Sequence, residues 1–153
     1  MSNYRDTMSK LVPELSVIDI KQSLFFWCNL IGFEVLYNRS QEGFAYLNLN
    51  GAQIMLEQRD ELDTSWETGS LELPFGRGIN FQIEVPDADS IISRLNQVGI
   101  KLFMNLEEKW YAAGKVDVGQ KQFLVKDPDG YLLRLIVDLG ERDSMLIDCG
   151  FTK

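Results

Sequence analysis

The sequence contains no histidine. This absence excludes nucleophile systems that depend on a histidine base, and it excludes the usual histidine-rich zinc and non-haem iron sites. Catalysis near neutral pH would need a carboxylate, lysine, tyrosine or cysteine with a shifted pKa.

Cysteines and long apolar runs are also scarce. Cys28 and Cys149 lie far apart and form no Cys-x-x-Cys pair, which is typical of a reduced cytoplasmic protein. No segment approaches the roughly 20 apolar residues that span a bilayer, and the first ten residues lack the apolar core of a signal peptide. We therefore expect a cytoplasmic protein with no membrane segment.

Positive charge is in deficit, with 15 Lys and Arg against 23 Asp and Glu, a net charge of −8. Nucleic-acid binding, which needs clustered basic residues, is disfavoured, whereas a cationic or neutral partner is compatible with this charge. The chain has 153 residues, 45% of them hydrophobic, which predicts a globular domain and excludes intrinsic disorder.

One pattern of elements occurs twice, displaced by about 68 positions. The first copy has a strand at 11–17, a helix from Asp19 to Gly32, and strands at 33–37, 44–49 and 53–57. The second has a strand at 80–85, a helix from Asp87 to Gly99, and strands at 101–104, 120–126 and 131–137. Asn50-Gly51 and the segment 127–130 are typical hairpin turns. Both copies are βαβββ units, which predicts an α+β fold.

The repeat also predicts the organisation of the chain. We expect a single domain over 1–153 made of two modules, about 11–58 and 78–138. A linker loop covers 59–77, a C-terminal tail covers 139–153, and a second long loop covers 105–119. Trp66 and Trp110 lie in the two predicted loops.

Two segments resemble a known family. L-V-P-E-L-S-V-I-D-I-K-Q-S-L-F-F-W, with L-I-G-F-E-V after it, and F-L-V-K-D-P-D-G-Y-L-L-R-L resemble the vicinal oxygen chelate superfamily. That superfamily includes glyoxalase I, extradiol dioxygenases, and fosfomycin and bleomycin resistance proteins. The resemblance covers about residues 11–138 and is strongest to bleomycin resistance proteins. It implies a cup-shaped mixed sheet and a homodimer with ligand clefts between subunits. It also implies exchange of the N-terminal strand around a proline that corresponds to Pro13.

The resemblance further implies a metal site, and here the sequence departs from the family. The corresponding positions hold Val12, Met55, Asn80 and Arg134, with Gly78 or Gln82 as alternatives to Asn80. Valine cannot ligate a metal, methionine is a soft ligand, and arginine is a cation. We therefore expect no metal, no cofactor and no glyoxalase or dioxygenase chemistry.

Strand alternation predicts which side chains face away from the helices. This face carries three carboxylates, aromatic rings and amides, which suit a cationic ligand with flat rings. The candidate ligand-binding residues are Glu14, Tyr46, Met55, Glu57, Trp66, Asn80, Gln82, Glu84, Trp110 and Arg134. The alternatives are that the glutamates pair with Arg134 or Lys126 in a solvated face, and that the two tryptophans only anchor their loops.

The predicted function is non-enzymatic binding and sequestration of a cationic, aromatic small molecule, such as a bleomycin-type antibiotic, in a cleft at a homodimer interface. One alternative is a metal-dependent lyase or dioxygenase of the same superfamily with an atypical site. Another is an interaction or regulatory protein whose cleft is vestigial.

Overall fold

The computed structural model describes residues 4–144, which form two four-stranded mixed sheets. The first sheet contains β1 (Glu14–Val17), β2 (Glu34–Arg39), β3 (Phe44–Leu49) and β4 (Ala52–Gln58). The second contains β5 (Asn80–Glu84), β6 (Met104–Ala113), β7 (Val116–Lys126) and β8 (Leu132–Asp143). The strand orders, β1-β4-β3-β2 and β5-β8-β7-β6, are equivalent, and each first strand pairs in parallel with the last strand of its unit. The predicted α+β fold with two βαβββ units is confirmed.

A helix follows the first strand of each unit. A short helix α1 (Tyr4–Thr7) precedes β1, and α2 (Ile20–Leu24) continues in π-helical geometry over Phe25–Ile31. The Asp19 carboxylate caps α2 by accepting from the backbone N–H of Lys21, and Gly32 ends the helix at a φ of 113°. Asp87 caps α3 (Ala88–Gln97) in the same way. None of the helices described is long and apolar enough to cross a membrane.

One hydrophobic core receives side chains from both units. Leu15 and Val17 of β1 and Leu133 and Leu135 of β8 are buried in it, while the residues between them face the other side of their sheets. Trp27, with no exposed surface, lies in this core with its ring 5.3 Å from that of Phe33. The alternation predicted for these strands therefore gives the correct buried face.

The turn between β7 and β8 connects the second unit to the first. Asp127 Oδ2 accepts a hydrogen bond of 3.2 Å from Trp27 Nε1, and Asp129 Oδ1 accepts one of 3.1 Å from the backbone N–H of Ile18. Burial raises the pKa of Asp127 to about 6, although hydrogen bonds from Trp27 and the backbone oppose the shift. Buried hydrogen bonds of this kind fix the relative position of the two units.

Two predicted boundaries differ from the structure. The predicted loop over 105–119 is wrong, because these residues form most of a β6–β7 hairpin. Its strands are long and partly exposed, and the run Glu107-Glu108-Lys109 has no apolar alternation that would mark a strand. β8 extends to Asp143, so residues 139–143 belong to a strand and not to a tail, and 145–153 lie outside the described residues. The linker over 59–77 contains neither helix nor strand.

The first strand is shorter than expected. β1 begins at Glu14 because Pro13 has no N–H to donate, although the Pro13 carbonyl accepts a hydrogen bond of 2.8 Å from Met55 N. Val12 therefore precedes the strand. Within the single chain β1 pairs with its own β4, and an exchanged dimer would make the same pairing between two chains.

Candidate functional site

The first sheet brings several of the predicted site residues onto one face. Glu14 lies beside Met55 in the parallel β1–β4 pair, and Met55 lies opposite Tyr46 in the β3–β4 pair. Glu57 follows Met55 by two positions and so lies on the same face. Tyr46 is fixed there, since its hydroxyl donates to Gln53 Oε1 at 2.6 Å and its ring stacks on Tyr37 at 5.2 Å.

This face continues into an open cavity of about 520 Å³, which we call the carboxylate cavity. Its wall includes Glu14 and Glu57 from the sheet, Arg39 from β2, and Arg59 and Trp66 from the linker. Glu42, Asp60, Asp63 and Glu67 also contribute to the lining. Acidic groups outnumber the two arginines, so the cavity has a negative potential that favours cations.

Glu14 and Glu57 interact directly in the cavity. Partial burial raises the pKa of Glu14 to about 7, and the hydrogen bond and charge of Glu57 add to the increase, whereas Arg39 opposes it. A proton on Glu14 relieves the repulsion between two carboxyl groups that lie so close together. At neutral pH Glu14 therefore retains part of its proton, which a bound cation would displace.

The two arginines of the cavity are already engaged. Arg39 donates from Nε to Glu42 Oε2 at 2.6 Å, and its guanidinium carbon lies 3.8 Å from the centroid of the Phe44 ring. Arg59 binds Glu67 through two hydrogen bonds, Nε to Oε1 at 2.5 Å and Nη2 to Oε2 at 3.1 Å. Neither arginine neutralises the Glu14–Glu57 pair through an ion pair.

The Arg59–Glu67 pair orders the loop that carries Trp66. The hydrogen bonds from Arg59 lower the pKa of Glu67, so this carboxylate stays ionised and bound. Asp63 accepts from the backbone N–H of Ser65 at 3.1 Å, which adds a tight turn before the tryptophan. Trp66 itself is 92% exposed at the edge of the cavity. An indole so exposed packs little against its own loop.

The second sheet has a different chemical character on the corresponding face. Gln82 of β5 lies beside Arg134 of β8, and Leu124 of β7 lies on the other side of Arg134. We call this surface, formed by Asn80, Gln82, Gln122 and Arg134, the second-sheet face. No ion pair to Arg134 or Lys126 occurs among residues 4–144, so the predicted pairing of these cations with Glu14, Glu57 or Glu84 is not found there.

A network of side chains that the sequence did not reveal lies on this face. Gln122 Nε2 donates to Glu107 Oε1 at 2.8 Å, and the Tyr111 hydroxyl donates to Gln122 Oε1 at 3.0 Å. Gln120 Nε2 also donates to that oxygen, at 2.8 Å. Glu107 and Tyr111 were not among the predicted site residues, because their segment was predicted to be a loop. Strand alternation assigns no sheet face to residues in a loop.

Trp110 is not part of this face. It lies opposite Gly119 in the β6–β7 pair, on the other side of the sheet from Gln122. A Cβ at Gly119 would lie 2.5 Å from the ring of Trp110, and the Arg142 guanidinium lies 4.1 Å from the ring centroid. The tryptophan thus packs on its own hairpin.

The predicted site residues therefore divide into separate groups within one chain. Glu14, Glu57 and Trp66 line the carboxylate cavity, with Tyr46 and Met55 on the same sheet face. Asn80, Gln82 and Arg134 lie on the second-sheet face, and Glu84 lines a different depression of about 410 Å³ near Asn50.

The side chains at the family's metal positions do not fit a metal ion. Val12 and Met55 offer no hard donor, Asn80 offers a single amide, and Arg134 brings a positive charge. Over residues 4–144, no three His, Cys, Asp or Glu side chains are grouped so that they could hold a metal. The donor set therefore disagrees with the metal site that the resemblance implies.

The repeated βαβββ topology and the open polar face define a class of proteins. The family model described as Glyoxalase/Bleomycin resistance protein/Dioxygenase superfamily matches residues 10–135, and the chain belongs to this superfamily.

Individual proteins are similar to the chain over most of its length. The chain is 29% identical over 136 residues to a bleomycin resistance protein of Geobacillus stearothermophilus, an alignment that covers 82% of this chain and 94% of the relative. Bleomycin resistance proteins of Staphylococcus aureus match equally well. A solved superfamily member from Vibrio splendidus 12B01 is 38% identical over 82% of this chain and 95% of its own, with a TM-score of 0.39.

The fold is shared with more distant proteins. A protein of unknown function from Agrobacterium tumefaciens str. C58 is 23% identical, with a TM-score of 0.66, and the match covers 86% of this chain and 95% of the other.

Proposed function

We propose that the protein binds a cationic, aromatic small molecule of the bleomycin type and sequesters it without chemical change. The observation that carries this proposal is the carboxylate cavity, where Glu14 and Glu57 lie in one wall and the exposed Trp66 stands at the edge. The similarity to bleomycin resistance proteins supports the same class of ligand.

The cavity provides the two interactions that such a ligand needs. The Glu14–Glu57 pair attracts positive charge, and a ligand cation that displaces the proton of Glu14 offsets the repulsion between the two carboxylates. Trp66 offers a flat, exposed ring for stacking or for a cation–π contact. The Arg59–Glu67 pair holds the loop in advance, which reduces the entropy lost on binding.

We place this binding in a cytoplasmic homodimer in which the cavity of one chain meets the second-sheet face of its partner. The support is that the cavity within one chain is lined only by the first unit and the linker. The second-sheet face, with its own polar side chains, then completes a cleft large enough for a ligand of several rings.

Calorimetric titration with bleomycin tests the proposal. Metal-free and copper-loaded bleomycin are titrated with and without EDTA, and we expect binding at about micromolar Kd or tighter that does not depend on the chelator. Absence of heat with both forms contradicts the drug assignment.

Variants then locate the site. Glu57→Gln and Trp66→Ala should each weaken binding roughly tenfold, about 1.4 kcal/mol, because each removes one ligand contact. Glu84→Gln is the matched control, since Glu84 lies outside the carboxylate cavity. Equal loss of affinity in Glu57→Gln and Glu84→Gln would show that general charge, and not this cavity, drives binding.

A further inference from the structure

Arg134 has an unusual environment on the second-sheet face. Its Nε is buried and has no hydrogen-bond partner, which holds for no other buried side-chain nitrogen or oxygen in the described part of the chain. No carboxylate of residues 4–144 forms an ion pair with its guanidinium. A buried donor without an acceptor is destabilising, and more so when it is charged, so the fold retains this group at a cost in free energy.

The side chains next to Arg134 on its own strand and on β7 supply no free acceptor. Leu124 is the neighbour of Arg134 on β7, and Leu132 and Ile136 flank it on β8. Gln122 Oε1 already accepts from both Tyr111 and Gln120. Apolar neighbours and an occupied amide therefore leave Arg134 Nε without an acceptor on these two strands.

Two further donors lie next to Arg134. Gln82 is its partner on β5, and Asn80 precedes Gln82 by two positions on the same face. Both side chains are exposed, and neither makes a hydrogen bond to another of residues 4–144. Their amides add N–H groups beside the guanidinium without adding charge.

The ionised groups around this face are limited in number. Glu107 is bound to Gln122, and Lys126 lies with its Nζ 5.7 Å from the Phe103 ring centroid. Glu84 lies opposite Ile136, two pairs further along β5, and lines a separate depression. Arg134 is thus a positive charge that forms no ion pair with any of residues 4–144.

We propose that Arg134 binds a carboxylate of a small-molecule ligand, with the amides of Gln82 and Asn80 as additional donors. A planar guanidinium binds a carboxylate through two parallel hydrogen bonds, and neutral amides match a singly charged anion better than a phosphate. The proposal rests on the proposed function only for the location of the cleft. Together with the carboxylate cavity, this subsite predicts a zwitterionic ligand that has a cationic aromatic part and a carboxylate.

Nuclear magnetic resonance titration with benzoate tests this subsite. We expect saturable shifts of the Arg134 Nε–Hε signal and of the Gln82 side-chain amide, with a Kd of about millimolar for so small a probe. Both variants at this position lack the Nε–Hε group, so the Gln82 amide signal is the readout for them. Arg134→Met should abolish its shift, and Arg134→Lys, which keeps the charge but not the planar fork, should weaken the binding at least about fivefold. Arg77→Met, at an exposed arginine bound to the backbone carbonyl of Leu73, is the control that should leave it unchanged.

Several outcomes would overturn the assignment. Absence of a saturable shift, or a shift centred on Arg39 and Arg59, would show that benzoate does not bind to this face. Stronger binding of inorganic phosphate than of benzoate makes the carboxylate class wrong. If benzoate has no effect and Arg134→Met changes the oligomeric state, the partner of Arg134 is a protein carboxylate. A titration with benzyltrimethylammonium, which depends on Glu57 and not on Arg134, shows separately whether the cation site fails.

Discussion

Glu14 makes ligand binding depend on pH. Because its pKa is raised to about 7, Glu14 loses its proton as pH rises through neutrality, and the cavity becomes more negative. We expect the affinity for a cationic ligand to increase between pH 6 and 8, and binding at pH 7 to release protons. Calorimetry in phosphate and in Tris, which differ in ionisation enthalpy, measures the released protons.

Substitution identifies the source of those protons. Glu14→Gln should reduce the proton release to near zero and flatten the pH dependence of the affinity. Glu84→Gln, the control, should preserve both. Unchanged proton release in Glu14→Gln would assign it to another group.

Asp127 gives the folded state a distinct dependence on pH. Its folded pKa, about 6, exceeds the ordinary value of 3.8, so its contribution to stability is complete below about pH 4 and is lost as pH rises through about 6. The shift corresponds to about 3 kcal/mol of unfolding free energy. Urea unfolding from pH 4 to 8 measures this, and Asp127→Asn should lack that component.

The same variant should be less stable at pH 5 by about 1–3 kcal/mol, because an amide nitrogen would face the Trp27 N–H in place of an acceptor. Asp143→Asn, at an exposed end of β8, should behave as the wild type. An identical pH profile in Asp127→Asn and the wild type would contradict the assignment.

At the level of elements, the β6–β7 hairpin depends on the contact between Trp110 and Gly119. Gly119→Ala places a methyl group 2.5 Å from the indole, so we expect a loss of about 1–3 kcal/mol in the unfolding free energy and a change in tryptophan fluorescence. In a Trp110→Ala background the same substitution should cost less than about 0.5 kcal/mol, because the indole ring that the methyl group would contact is absent. Equal cost in both backgrounds would mean that the backbone at Gly119, and not the indole ring, disfavours a side chain there.

The same hairpin shows how far the sequence predicts this fold. Strands such as β1 and β8 alternate buried and exposed side chains, so Leu15, Val17, Leu133 and Leu135 identify the core face from the sequence alone. β6 does not follow this rule, because its side chains are mostly exposed or half-buried on both faces and carry charges in succession.

The candidate site was predictable to a similar extent. Alternation places Glu14 and Glu57 on one face, since this depends on each strand alone. The position of Trp66 in the cavity wall depends on the hydrogen bond between Arg59 and Glu67 in the linker, and no local sequence pattern predicts that bond. Likewise, burial of Arg134 Nε follows from neighbours on two other strands.

At the level of the whole molecule, the proposed homodimer predicts a particle of about 35 kDa in sedimentation, from two chains of 17.5 kDa. If each cleft combines Glu57 of one chain with Arg134 of the other, mixing Glu57→Gln and Arg134→Met chains should restore one natural cleft per mixed dimer. The measurement is the stoichiometry of ligand binding after subunit exchange.

A matched mixture provides the control. Glu14→Gln and Glu57→Gln lie on the same sheet, so their mixed dimer contains no natural cleft and should recover no tight binding. A monomer of 17.5 kDa at micromolar concentration would contradict the dimer.

The hydrogen bonds from the β7–β8 turn to the first unit have a consequence for the covalent chain. Asp127 accepts a hydrogen bond from Trp27, and Asp129 accepts one from the backbone of Ile18. The Tyr131 hydroxyl also donates to the Ser16 carbonyl at 2.9 Å. Buried and half-buried hydrogen bonds therefore hold the two units together. A protease cut in the linker near Leu62, which is 96% exposed, should therefore leave the two fragments associated. Two halves produced as separate polypeptides should then reassemble without a peptide bond between them.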